Sequence, residues 1–162
     1  MSPLLYAWPL DQLLQRFKFS GDLATGRLLG ELLADYLAAG RIMKPDLLIP
    51  VPLHAARLRK RGFNQALELA KPVARRLRLC IAQKLCVRSK NTAVQSELDA
   101  VARRRNLHAA FVIHRSLDGA HVAILDDVLT TGATASALTL TLRQAGAATV
   151  QVWCLARAAR LP

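Results

Sequence analysis

Cysteine is scarce in this chain: Cys80, Cys86 and Cys154 are its three, and no two of them form a C-x-x-C pair. An odd, scattered set excludes a disulfide framework, suits a reducing compartment and argues against a structural zinc site. No stretch approaches the ~20 consecutive apolar residues of a membrane helix, so no membrane span is expected. No basic segment followed by an apolar one opens the chain either, so secretion is not indicated and a cytoplasmic location is expected. Neither G-x-x-x-x-G-K-[ST] nor G-x-G-x-x-G occurs, which removes P-loop NTPases and dinucleotide-binding folds from consideration. Aromatic residues make up 5%, few for a surface that stacks on bases. Acid is short as well, with 11 acidic against 23 basic residues and a net charge of +12. That imbalance fits a polyanionic partner, either a phosphorylated small molecule or a nucleic acid, or equally an ordinary solvated surface, since the arginines are spread along the chain.

What is present is enough for one domain. At 162 residues and 52% apolar content the chain can bury roughly 70% of its unfolded surface. Residues 1–40 read as an N-terminal helical segment and 41–162 as a sheet core. A helix is expected around residues 10–17, with Tyr6, Trp8 and Phe17 packing on the main body. A second, capped by Asp22, runs to Ala39 with Leu28, Leu29, Leu32, Leu33, Tyr36 and Leu37 as its core stripe. Residues 46–51 read as the first central strand. A helix capped by Asn64 follows, kinked or divided at Pro72. Residues 81–88 read as one strand, and a short helix capped by Ser96 precedes the strand 111–113. Residues 122–125 suit a strand buried on both faces, followed by a helix through Ala135, Leu138 and Leu142 that Gly146 ends, and then a strand over 149–155. Strands and helices alternate. The fold class is therefore α/β, with a central, mostly parallel sheet of about five strands flanked by helices.

The chemistry concentrates in VAILDDVLTTGAT, residues 122–134. A turn of Thr130, Thr131, Gly132, Ala133 and Thr134 at a helix N-terminus offers backbone N–H groups, hydroxyls and a glycine that lets the backbone come close. Such a cradle suits a phosphate monoester. Asp126 and Asp127 would repel that phosphate unless they face a vicinal diol or a magnesium ion. The ligand expected is a sugar phosphate, bound where open α/β sheets bind ligands, at the carboxyl ends of the strands.

VAILDDVLTTGAT resembles the phosphoribosyl pyrophosphate (PRPP) signature of type I phosphoribosyltransferases. FKFSGD (17–22), IPVPLHAARLRKRGFNQALELA (49–70) and RSKNTAVQSELDAVARRRNLHAAFVI (88–113) resemble one branch of them, the ComF family (competence protein F, GntX-like). The resemblance covers nearly the whole chain, apart from the cysteine-rich, zinc-ribbon-like segment with which members commonly begin. It implies that Asp126 and Asp127 hold the ribose hydroxyls and that Thr130 to Thr134 hold the 5-phosphate. It also implies that the loop at Leu53 and His54 holds the pyrophosphate. Arg57 and Arg61 are the candidate clamps there, since a guanidinium fork meets two oxygens at once. Arg88, Lys90, Thr92 and Gln95 would form a hood that closes over the ligand. Mg2+ would be carried by PRPP near the acid pair, with no direct protein ligand. Lys18 matches a family position or is simply solvated.

No residue reads as a general base, and the acceptor is unidentified, expected near the N-terminal helices. Three readings stay open: a phosphoribosyltransferase with pyrophosphate release, a PRPP-sensing protein without turnover, and a protein of DNA uptake that contacts single-stranded DNA. A homodimer is left open as well.

Overall fold

In the computed structural model, which describes residues 1–89 and 110–159, a five-stranded sheet organises the chain. Its order is β1 (Leu4–Leu5), β7 (Thr149–Arg157), β6 (His121–Leu129), β2 (Leu47–Pro50) and β3 (Cys80–Ile81), with every pair parallel. A separate antiparallel ribbon joins β4 (Cys86–Arg88) to β5 (Phe111–Ile113). The helices are α1 (Leu10–Ser20), α2 (Leu23–Ala39), α3 (Ala55–Arg61), α4 (Gln65–Leu77) and α5 (Ala133–Gln144).

The period-two alternation of β6 divides the core. Ala123 and Leu125 join Trp153 and Leu155 under α1, α2 and α4, where Leu14, Phe17, Leu33 and Leu69 are fully enclosed. Val122 and Ile124 face the other way, onto Ile49, Leu138, Leu142 and the ribbon residue Phe111. Residues 1–40 are therefore part of the main body. Besides two helices they supply an edge strand, β1, paired with the end of β7.

Several expectations are corrected. β6 does not stop at Leu125 but continues to Leu129, and β7 runs on to Arg157, because the two strands pair along that whole length. The single strand expected over 81–88 is two, β3 in the main sheet and β4 in the ribbon, separated by a turn at Gln83 to Leu85. α4 passes through Pro72 as one helix. The ring is buried against Gly30 of α2, where even a Cβ would come within 2.5 Å of the proline Cγ, so close packing offsets the missing hydrogen bond.

The stripe on α2 splits. Leu29, Leu33 and Leu37 are buried, whereas Leu28, Leu32 and Tyr36, one position round the helix, are 60%, 49% and 44% exposed. Trp8 is 76% exposed, while Tyr6 and Phe17 pack as expected. Asp22 caps α2 through Thr25 N–H (3.0 Å), and Gly146, at φ 98°, follows the end of α5. The helix expected from Ser96 lies outside the described residues.

Candidate functional site

The site forms where β6 outruns its neighbour. β2 ends at Pro50, and the last bond across that edge is Val51 N–H to the Leu125 carbonyl (2.9 Å). Beyond that point β6 is paired on the β7 side alone, through Asp126, Val128 and Leu129. Consecutive strand residues point to opposite faces, so the two acids have different surroundings. Asp127, 4% exposed, faces the α1 and α4 side and forms an ion pair with Lys18. Asp126 is half-buried and its carboxylate accepts the Asp127 N–H (2.9 Å).

Burial pushes the Asp127 carboxyl up, but the Lys18 ammonium and the neighbouring donors outweigh it and hold the group below the ordinary carboxylate range. Asp126 goes the other way: burial first, and the Asp127 charge second, raise it well above that range. Lys18 is thus not a solvated lysine; its side chain is 20% exposed.

After Leu129 the chain turns through Thr130 and Thr131, both exposed, to Gly132 at φ 77°, a backbone conformation that glycine adopts without strain. The helical ladder of α5 starts with Ser136 N–H to the Gly132 carbonyl (2.8 Å), which leaves the amides before it to other partners. Thr131 Oγ1 accepts only a long bond (3.4 Å) from Ala133 N–H. A Cβ at Gly132 would meet nothing closer than Leu129 Cδ1 at 4.0 Å, so the turn is open above the glycine. A cavity of about 450 Å³ adjoins it, lined by Leu129 to Gly132 and by Arg157, Ala158 and Ala159. Arg157 was not found from sequence, because the strand that carries it was expected to end two residues earlier.

The β2 exit supplies the second wall. Leu53 and His54 are half-buried, and His54 caps α3 by accepting the Ala56 N–H at Nδ1 (3.2 Å). Each residue of RGFNQ then has a task. Arg61 donates to Gln65 Oε1 (2.5 Å) and lies 5.5 Å over the Phe19 ring. Gly62 ends α3 at φ 84°, and Phe63 packs on Phe17 with centroids 5.4 Å apart. Asn64 caps α4 through Ala66 N–H (3.0 Å) and donates to the Val51 carbonyl (3.0 Å), clamping the β2 exit to the helix. Gln65, buried, takes the Arg61 guanidinium at its carbonyl oxygen. Sequence reasoning passed over Gln65, although the motif contains it.

Burial lowers the Arg61 guanidinium, with Asp127 opposing and Arg57 adding to the fall. Arg88, at the end of β4 and 5.7 Å over Phe111, is likewise lowered by burial and senses both Arg57 and Asp126. Arg61 thus feels Asp127 and Arg88 feels Asp126, while Arg57 bears on those two arginines. Lys90, Thr92 and Gln95 lie outside the described residues. Among the described residues no group of three or more His, Cys, Asp or Glu side chains could hold a metal ion.

No family model matches the chain. Among solved structures, it is similar to the allosteric regulatory enzyme of purine biosynthesis (TM-score 0.51, 18% identity, 80% of this chain and 25% of that one). It is also similar to an HPRT whose invariant aspartic acid is replaced by asparagine (TM-score 0.50, 16% identity, 85% of this chain and 69% of that one). Both likenesses concern the fold, which is that of type I phosphoribosyltransferases. Among curated relatives, DNA utilization protein YhgH of Escherichia coli O157:H7 is 42% identical over 94% of this chain and 69% of its own length. Competence protein F of Haemophilus influenzae is 39% identical over 94% of this chain and 70% of its own. With such identity across more than two thirds of those proteins, the chain belongs to the family of DNA utilization protein YhgH and competence protein F.

Proposed function

We propose that the chain binds PRPP at the carboxyl ends of β6 and β2 and transfers its phosphoribosyl group to an acceptor, with release of pyrophosphate. The observation that carries this reading is the continuous run from acid pair to open glycine turn to helix N-terminus, with Arg61 and Arg88 near enough to feel its two acids.

The amides and hydroxyls of Thr130 to Thr134 would take the 5-phosphate, as unpaired N–H groups at a helix start favour an anion. Arg157 borders the same turn and adds charge there. Asp126 and Asp127 would accept hydrogen bonds from the ribose hydroxyls. The loop at Leu53 and His54, with Arg57 and Arg61, would hold the pyrophosphate and stabilise its charge as the bond to the anomeric carbon breaks. The donor set fits a magnesium ion carried by the ligand, since Asp126 is the acid not already committed to a lysine. Such an ion would supply charge neutralisation for the leaving group. Arg88, at the foot of the ribbon, would help to exclude water from an oxocarbenium-like state that water would otherwise trap.

Calorimetry with PRPP and magnesium tests the site. Wild type is expected to bind, and Asp127→Asn to bind at least about tenfold more weakly, since a charged acceptor is lost. Pyrophosphate release across a panel of bases and amines then tests turnover, and no release with any acceptor leaves a PRPP sensor.

A second reading has its own support. α3 carries Arg57, Arg59, Lys60 and Arg61 and no acid, and its outer cations are exposed. Relatives are named for DNA utilization and competence. Single-stranded DNA on this face would extend the role of the protein to DNA uptake.

A further inference from the structure

Lys18 sits in the last turn of α1, and its ammonium is paired with a carboxylate on a strand of the central sheet. The other lysine and arginine pairs described here are of the ordinary kind. The cations of Arg16–Asp22, Lys71–Glu68, Arg75–Glu31 and Arg76–Asp35 are all more than half exposed, and such pairs contribute little. Lys18 and Asp127 are 20% and 6% exposed, so removal of the lysine strands a carboxylate with little water to solvate it. α1 is in turn anchored by Leu10, Leu14 and Phe17, which are buried in the core beneath. The lysine is thus carried by a fixed element. Gln65 of α4, whose carbonyl oxygen is taken by Arg61, also helps to hold the Asp127 carboxyl low. The buried ion pair with a lysine on a fixed helix restrains the Asp127 carboxylate.

Resting on the PRPP reading above, we propose that Lys18 is a positioning residue of the site, locking the Asp127 carboxylate in the orientation from which it accepts the hydroxyls of the ribose. Its action passes through Asp127. It belongs to the sugar end of the ligand, not to the pyrophosphate end, which Arg57 and Arg61 serve. The requirement it imposes on substrate is a vicinal diol, so that a phosphorylated sugar lacking the diol gains nothing from Lys18.

The test is titration calorimetry of magnesium–PRPP, ribose 5-phosphate and inorganic pyrophosphate against wild type, Lys18→Met, Lys18→Arg, Asp127→Asn and the double variant Lys18→Met/Asp127→Asn. Lys18→Met is expected to weaken PRPP and ribose 5-phosphate by about tenfold or more and to leave pyrophosphate within about twofold, while Lys18→Arg restores most of the loss. Added to Asp127→Asn it changes nothing further, because the two act as one unit. The double variant strands no charge, so it folds even where Lys18→Met alone does not, and its equality with Asp127→Asn then carries the comparison. An unchanged PRPP affinity in Lys18→Met, a loss that adds to that of Asp127→Asn, or an equal loss toward pyrophosphate overturns the assignment. A wild type that binds pyrophosphate but not PRPP overturns the parent reading, and this one with it.

Discussion

At the scale of single residues, the two acids of the signature are unequal partners. Asp127 is an ion held by a lysine; Asp126 is a carboxyl whose ionisation the surroundings oppose. A group raised in the folded state costs stability once the pH passes its unfolded value, and the full cost is present above its folded value. Asp126→Asn is therefore expected to melt at a higher temperature than wild type at pH 7, with an advantage that shrinks as the pH falls toward 4, while PRPP binding is lost. Thermal melts across that range, beside calorimetry, check both halves. Sites that hold charge for a ligand commonly give up stability in this way.

The cysteines give a second residue-scale expectation. Burial pushes the Cys86 thiol up to about 12 and raises Cys154, whereas Cys80 is exposed. Titration with a thiol reagent at pH 8 should show one fast group and two that react only on unfolding. Cys80→Ser should abolish the fast phase.

Among elements, the packing of α2 on α4 depends on a pairing of glycine and proline. Gly30→Ala would drive a Cβ to 2.5 Å from Pro72 Cγ and 3.2 Å from the Leu69 carbonyl, both fixed. A loss of about 1–3 kcal/mol is expected, read from denaturant unfolding, in line with overpacked cores. Gly132→Ala should cost only about 1 kcal/mol, for its positive φ, since space above the turn is open.

These elements also mark how far the sequence could be read. Asn64 and Asp22 announced their helices because capping is a local matter, and the strand–turn–helix of the signature followed from residue type and order. The end of β6 did not, because what prolongs it past two acids is the strand beside it. The exposed half of the α2 stripe was equally hidden: Leu28 and Leu29 look alike until the angle at which the helix lies on the sheet is known. Lys18 and Asp127 are over a hundred residues apart, and no pattern in either segment announces that they meet.

On the scale of the whole molecule, charge is unevenly matched. Acids on α2 and α4 neutralise Arg75, Arg76 and Lys71, while α3 has none of its own. If nucleic acid binds, it should be through Arg59 and Lys60, both exposed on α3. Arg59→Glu/Lys60→Glu is expected to flatten the dependence of single-strand affinity on salt by about two counterions, measured by fluorescence anisotropy over a salt series, and to leave PRPP titration unaltered. A variant with unchanged salt slope would remove α3 from that role.

The bare edge of β6 beyond Leu125 has one more consequence. There the Asp127 amide hydrogen would point at open space but for the Asp126 carboxylate folded back onto it. If, on the proposed reading, that carboxylate turned to a sugar, the main chain beneath would be uncovered and the strand itself would become a donor. Ligand capture at this rim would then recruit backbone that the Asp126 side chain covers, a contribution that no side-chain substitution at Asp127 can remove.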